Sequence, residues 1–178
     1  MARVANLAPA SMTPAQVKVA EQIAATREGS VGGPFVAWLN VPRIAAAASS
    51  LGDVIRLEGE LDRSLAELAI LLVARHWSAP YAWSTHARLA VEAEVDMAII
   101  DAIAERRVPD FHSAHQRCLY AFVTELLETR KVTDTVYAQA LESFGLVRLT
   151  EIVSMVGFYS MACITLNAFE IAAPTPQV

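Results

Sequence analysis

Cysteine is scarce in this chain: two in 178 residues, Cys118 and Cys163, far apart and in unrelated contexts. That excludes a disulfide framework and suits a reducing compartment, the cytoplasm being the natural one. Basic clusters are missing as well. Lys and Arg number 14 against 19 Asp and Glu, giving a formal net charge of -5 and a pI near 5.3. No segment gathers enough cations to follow a phosphate backbone, so nucleic acid is set aside as a partner. The opening MARVANLAPASMTP has one Arg and no long apolar run, so it offers no signal peptide. Alternation of apolar and polar residues never reaches a useful length, and there is no low-complexity stretch or clear repeat, which leaves a sheet without sequence support.

Apolar residues, by contrast, are plentiful. They make up 54% of the chain against 19% charged, with a mean hydropathy of +0.37. At 19.3 kDa the chain is one domain's worth, residues 1–178, long enough to bury a core. The apolar excess points to surface hidden by assembly into a homo-oligomer. The most membrane-like run, Ile152 to Phe169, is uncharged and about long enough to span a bilayer. It holds Ser154, Gly157, Ser160, Thr165 and Asn167, is flanked by Glu151 and Glu170, and has no basic flank. We read it as a buried or interface helix, with no membrane partner.

Helix signals cover most of the chain. Thr13-Pro14-Ala15-Gln16 is a capping box opening a helix that ends near Gly29. The segment from Gly29 to Phe35, GSVGGPF, is a loop able to bring backbone close to a ligand. Pro42 starts an alanine-rich helix to about Leu57, closed by Gly59. Asp62 caps SLAELAILLVARHW, apolar on almost every face and so surrounded by other helices. Pro80 opens a helix carrying His86, and a shorter one runs from Asp96 to Arg106, stopped by Pro109. Ser113 to Gln116 is a second capping box. Thr133 or Asp134 caps the next helix, which Gly145 closes, and a last apolar helix runs from about Leu149 to Ala172 before the tail PTPQV. The fold class is an all-α bundle.

The segment 62–107 carries the chemistry. Glu67 lies in an apolar helical run and needs a partner, and His86 follows 19 positions later on the adjoining helix. Taken alone, His86 reads as readily as a structural hydrogen-bonding residue, and Glu67 as a carboxylate satisfied by Arg63, Arg75 or a backbone group. Phe35, Trp38, Tyr81 and Trp83 are candidates to line a pocket, although aromatics at such spacings also pack cores. Asn40 joins them. Arg56, with Arg43, Arg63 and Arg75 as alternatives, is the candidate to hold a substrate carboxylate. Asp110, His112 and His115 have a loosely metal-like spacing but lack a third histidine, and no metal is assigned. His76 suits a helix end, where its charge favours the dipole.

These residues resemble the carboxymuconolactone decarboxylase and AhpD-like superfamily. The alkyl hydroperoxidase branch has a glutamate, a CxxC pair 12 and 15 positions on, and a histidine 19 on. Here those places hold Glu67, Ala79, Ala82 and His86. The stretches RSLAELAILLVARHWSAPYAWSTHARLA, GPFVAWLNVP and VGFYSMACITLNAFE extend the likeness to the decarboxylase-like branch over nearly the whole chain. Thiol peroxidase chemistry needs a thiolate and a resolving thiol, and alanine provides neither. The resemblance implies an oligomeric AhpD-like helical bundle, a trimer or hexamer. It also implies a lyase that needs no cofactor and acts on a small-molecule substrate, a carboxylated lactone or related acid from aromatic breakdown. Loss of carbon dioxide leaves a dienolate that must be protonated at carbon. An imidazole, whose unperturbed pKa is ~6.5, suits that role. His86 is then the acid, oriented by Glu67. Two positions depart from that pattern: Tyr81-Ala82-Trp83 stands where the branch often has YEW, and Glu94 replaces a glycine near the end of the histidine helix. The alternatives are a non-redox ligand-binding or catalytically degenerate oligomer, and a redox protein using Cys118 or Cys163.

Overall fold

The computed structural model describes residues 2–27 and 31–173. The expected helix end at Gly29 and the tail PTPQV lie outside them. Eight α-helices and no strand are found among the described residues. They are α1 (Pro14–Ala25), α2 (Phe35–Trp38), α3 (Pro42–Asp53), α4 (Arg63–His76), α5 (Pro80–Glu92), α6 (Met97–Ala104), α7 (Ala114–Thr129) and α8 (Asp134–Ala168).

Helix α4 is the axis of the bundle. All eight residues from Glu67 to Ala74 are buried, because α5, α7 and α8 pack around it. An apolar helix of this kind is stable only when surrounded, since tertiary burial rather than propensity holds it. Asp62 caps its start by accepting from the Ser64 N–H at 2.8 Å. Thr13 and Gln16 complete the expected capping box of α1. In α7 only half of the second box forms: Ser113 accepts from the Gln116 N–H at 3.5 Å, with no bond back. Thr133 rather than Asp134 caps α8.

Helix ends depart most from expectation. Ser78, Glu94, Arg106 and Glu170 take the left-handed conformation, with φ of 48°, 62°, 58° and 50°. Each closes its helix with paired backbone bonds, such as Val95 N–H to Ala90 O (2.9 Å) and Glu94 N–H to Val91 O (3.0 Å). Helix α6 therefore stops at Ala104, well before Pro109, and α8 at Ala168, short of Ala172. Gly145 breaks α8 as expected, at φ 71° and ψ 168°. That region is open to glycine almost alone, and the second half of α8 begins directly after it. By length and composition α8 is a candidate membrane span, yet 56% of its most apolar window is buried inside the chain. Glu151 also turns inward, accepting from the backbone of Glu60 and Leu61 at 3.0 Å. This ties α8 to the turn that precedes α4.

Helix α3 does not run on as an α-helix to Leu57. It widens into one π-helical turn, Val54–Glu58, capped by Gly59. That turn buries Ile55 and carries Arg56 toward the gap between α5 and α8.

Candidate functional site

Glu67, on the second turn of α4, and His86, midway along α5, meet across the helix pair. Glu67 Oε2 and His86 Nδ1 are 2.7 Å apart, and the residues are 4% and 8% exposed. A carboxylate facing Nδ1 at this distance only accepts when it is ionised, and in that pairing Nδ1 carries the proton and donates. The hydrogen bond found for the ring runs through Nδ1, so the other nitrogen, Nε2, has no partner among the described residues, and His86 lines a cavity. In this out-of-water setting the pair is electrostatically stronger than at a surface, and Glu67 fixes both the tautomer and the tilt of the ring. Tyr159 of α8 braces the imidazole edge-on, with ring centroids 5.0 Å apart.

The cavity, partly open to solvent, has a volume of about 230 Å³ between the loop before α2, the π turn, α5 and α8. Its walls are mostly apolar: Pro34, Phe35, Ala82, Phe158, Ala162 and Leu166. Its polar groups are His86, Tyr159, Tyr81, Thr85, Arg27 and Arg56. Gly33, at φ 60°, lets the loop press against Tyr81, where an added Cβ would meet the ring at 3.3 Å. Arg27 is anchored below Phe35, paired with Asp53 at 2.9 Å and stacked 4.7 Å from the Phe35 ring centre. Arg56 is exposed at the mouth and makes no ion pair with a described residue. Burial pushes the Tyr159 phenol up, while the nearby Arg56 and, more weakly, Arg27 act in the opposite sense.

Of the residues singled out from sequence, Phe35, Tyr81, Arg56 and His86 line this cavity, with Glu67 directly behind His86. Three do not. Trp38 lies behind the wall, its indole N–H donating to Thr165 Oγ1 at 3.0 Å and its ring against Phe35. Trp83 faces the other side of α5, beside Ala79 and Pro80. Asn40 is exposed and bonds back to the carbonyls of Val36 and Ala37. Arg27, Tyr159 and Phe158 were not foreseen. Tyr159 and Phe158 sit in a run that reads as core from composition, and only the position of Arg27 at the end of a helix before the glycine loop hinted at a site.

The thiols stand apart. Neither cysteine lines the cavity. Burial raises Cys163 to about 12 and also raises Cys118, which keeps both as thiols rather than nucleophilic thiolates. Ala82 contributes only a methyl group to the cavity wall, and Ala79 is buried outside it.

No family model matches the chain, and no curated protein matches its sequence. Solved structures do match in fold. An uncharacterized peroxidase-related protein from Ralstonia eutropha, described as an alkylhydroperoxidase AhpD core, superposes with a TM-score of 0.80 at 15% identity. The match covers 97% of this chain and 92% of that one. An uncharacterized peroxidase-related protein from a Silicibacter species gives a TM-score of 0.79 at 15% identity, over 97% and 90% of the two chains. The debrominase Bmp8, as a cysteine-to-alanine variant with 2,3,4-tribromopyrrole, gives 0.76 at 15% identity, over 97% and 91%. The chain thus has the AhpD-like all-α fold.

Proposed function

We propose that the protein is a lyase that needs no cofactor and removes carbon dioxide from a small planar acid, such as a carboxylated lactone. The supporting observation is the Glu67–His86 pair, buried at 2.7 Å, with Nε2 open to a mostly apolar cavity. When carbon dioxide leaves, the electron pair of the broken bond passes into the conjugated carbonyl, forming a dienolate. Protonated His86 then delivers its Nε2 proton to carbon. Glu67 stabilises the imidazolium before transfer, and the neutral ring is reprotonated from water. Arg56, at the mouth, holds a carboxylate that the substrate keeps. The apolar walls disfavour the charged carboxylate that is lost relative to the neutral gas.

The solved relatives leave the chemistry open, since one is named a debrominase and its complex contains a small halogenated ring. A planar ring of that size is the ligand type the cavity volume favours here as well. Because neither cysteine reaches this site, we assign thiol-dependent reactions to neither. A second reading, a ligand-binding protein without turnover, is favoured by Ala82, which puts no proton-transfer group beside His86. We further propose self-assembly. Ile44 and Leu51 on α3, Val54 and Leu57 on the π turn and Val153, Met161 and Ile164 on α8 stay exposed in the single chain, and light scattering after gel filtration tests it.

The experiment for the lyase reading is mass-resolved turnover of carboxylated lactones and β-keto acids in heavy water. Release of carbon dioxide with deuterium at carbon, lost in His86→Ala, is expected. Undiminished turnover in His86→Ala contradicts the mechanism, and ligand binding with no product from any acid favours the second reading.

A further inference from the structure

Two groups on the cavity wall make no hydrogen bond to a described residue: His86 Nε2 and the Tyr159 hydroxyl. Tyr159 is 6% exposed, lines the cavity and makes no hydrogen bond to a described residue. The hydroxyl is therefore free to donate to a ligand in the cavity. Its direction is not free to change. The ring is wedged edge-on between His86 at 5.0 Å and Phe158 at 5.4 Å, both near perpendicular. The remaining hydroxyls, on Tyr81 and Thr85, belong to half-buried residues nearer solvent.

Resting on the lyase reading above, we propose that Tyr159 is the oxyanion donor of the site, giving a hydrogen bond to the substrate carbonyl oxygen as it becomes an enolate. The substrate class narrows accordingly. It is a small planar diacid in which one carboxylate is lost from carbon conjugated to a carbonyl, while the other remains to meet Arg56. The balance is complete: the bonding pair moves to the carbonyl oxygen, Tyr159 donates without giving up its proton, and His86 protonates carbon. Burial raises the Tyr159 phenol, so it stays protonated and acts as donor rather than base. Preorganised donors of this kind work best where water is excluded, because they need no reorientation as charge develops.

The test uses 4-nitrophenol, whose phenolate is a stable planar oxyanion with an absorption band sensitive to hydrogen bonding. 4-Nitroanisole, which has no ionisable oxygen, is the control. The native protein is expected to bind the phenolate with a blue shift of its band. Tyr159→Phe keeps the ring that braces His86, and it should weaken phenolate binding roughly 10- to 100-fold and abolish the shift. Binding of 4-nitroanisole should be equal in both. Unchanged phenolate affinity and band position in Tyr159→Phe overturn the proposal, as does failure of the native protein to bind the phenolate. Parallel loss of both probes would reduce Tyr159 to a packing role and overturn it too. Binding needs no turnover, so a phenolate held through Tyr159 in a protein that decarboxylates nothing leaves the donor standing and removes only the lyase reading.

Discussion

The two ends of α4 carry very different charge. Near its start is a single buried carboxylate, Glu67, set against His86. At its other end a smaller cleft of about 120 Å³ gathers Arg75, His76, Arg106 and Arg107. The second end looks more like a site by charge count, yet three of its four cations serve the backbone and the surface, and the fourth, Arg75, keeps its Nε buried without a partner among the described residues. Arg106 donates to Ser78 Oγ at 3.1 Å and more weakly to the Arg75 carbonyl, Arg107 pairs with Glu105 at 2.6 Å, and His76 packs on Trp77. Cations at a helix C-terminus are favoured there by the dipole alone. What marks the first end is one desolvated pair with a ring nitrogen left over and a larger, mostly apolar cavity in front of it.

If that contrast holds, substitutions at the two ends should differ in size. His86→Leu leaves a buried carboxylate without its partner and should lower stability by about 3–5 kcal/mol in urea unfolding. The double variant Glu67→Leu/His86→Leu should recover most of it, and a double variant as unstable as the single would contradict the pairing. A smaller effect is expected at the cavity mouth. Arg56→Gln should weaken binding of a carboxylated ring roughly tenfold, about 1.4 kcal/mol, in calorimetric titration, whereas Arg75→Gln should leave it unchanged. Equal losses in both would mean a general field rather than a contact. Smaller still, Glu94→Gly should raise stability by about 0.5–1 kcal/mol, because it relieves a left-handed residue at an exposed helix end. Arg107→Gln should stay within about 0.5 kcal/mol of the native protein, since the pair it breaks is exposed.

Where helices begin was legible because caps are local chemistry: Thr13, Asp62 and Ser113 each accept from a backbone N–H within three residues. Gly145 was legible for the same reason, as the residue type its backbone angles demand. Helix ends were not, since Ser78, Glu94, Arg106 and Glu170 occupy positions where glycine would have signalled the stop. The Glu67–His86 pairing could be read from the 19-residue offset across two adjoining helices, and the geometry places the two in contact. The pocket wall was only half legible. Phe35 and Trp38 lie three positions apart on one short helix, and the packing of α2 against α3 decides which ring faces the cavity. Arg56 reaches the mouth through a π turn that no residue pattern announces, and Tyr159 belongs to the apolar face of α8 until the cavity beside it is seen.

The central claim is that Glu67 holds His86 with Nδ1 protonated and Nε2 turned to the cavity. Nitrogen-15 NMR of the histidine rings, recorded on the native protein and on Glu67→Leu in the neutral imidazole range, tests this most directly. The account predicts that the native His86 ring carries its proton on Nδ1, with Nε2 unprotonated and its shift moved by added ligand. It also predicts that this tautomer preference is lost in Glu67→Leu. A native ring protonated on Nε2, or one indifferent to both ligand and Glu67, would contradict it.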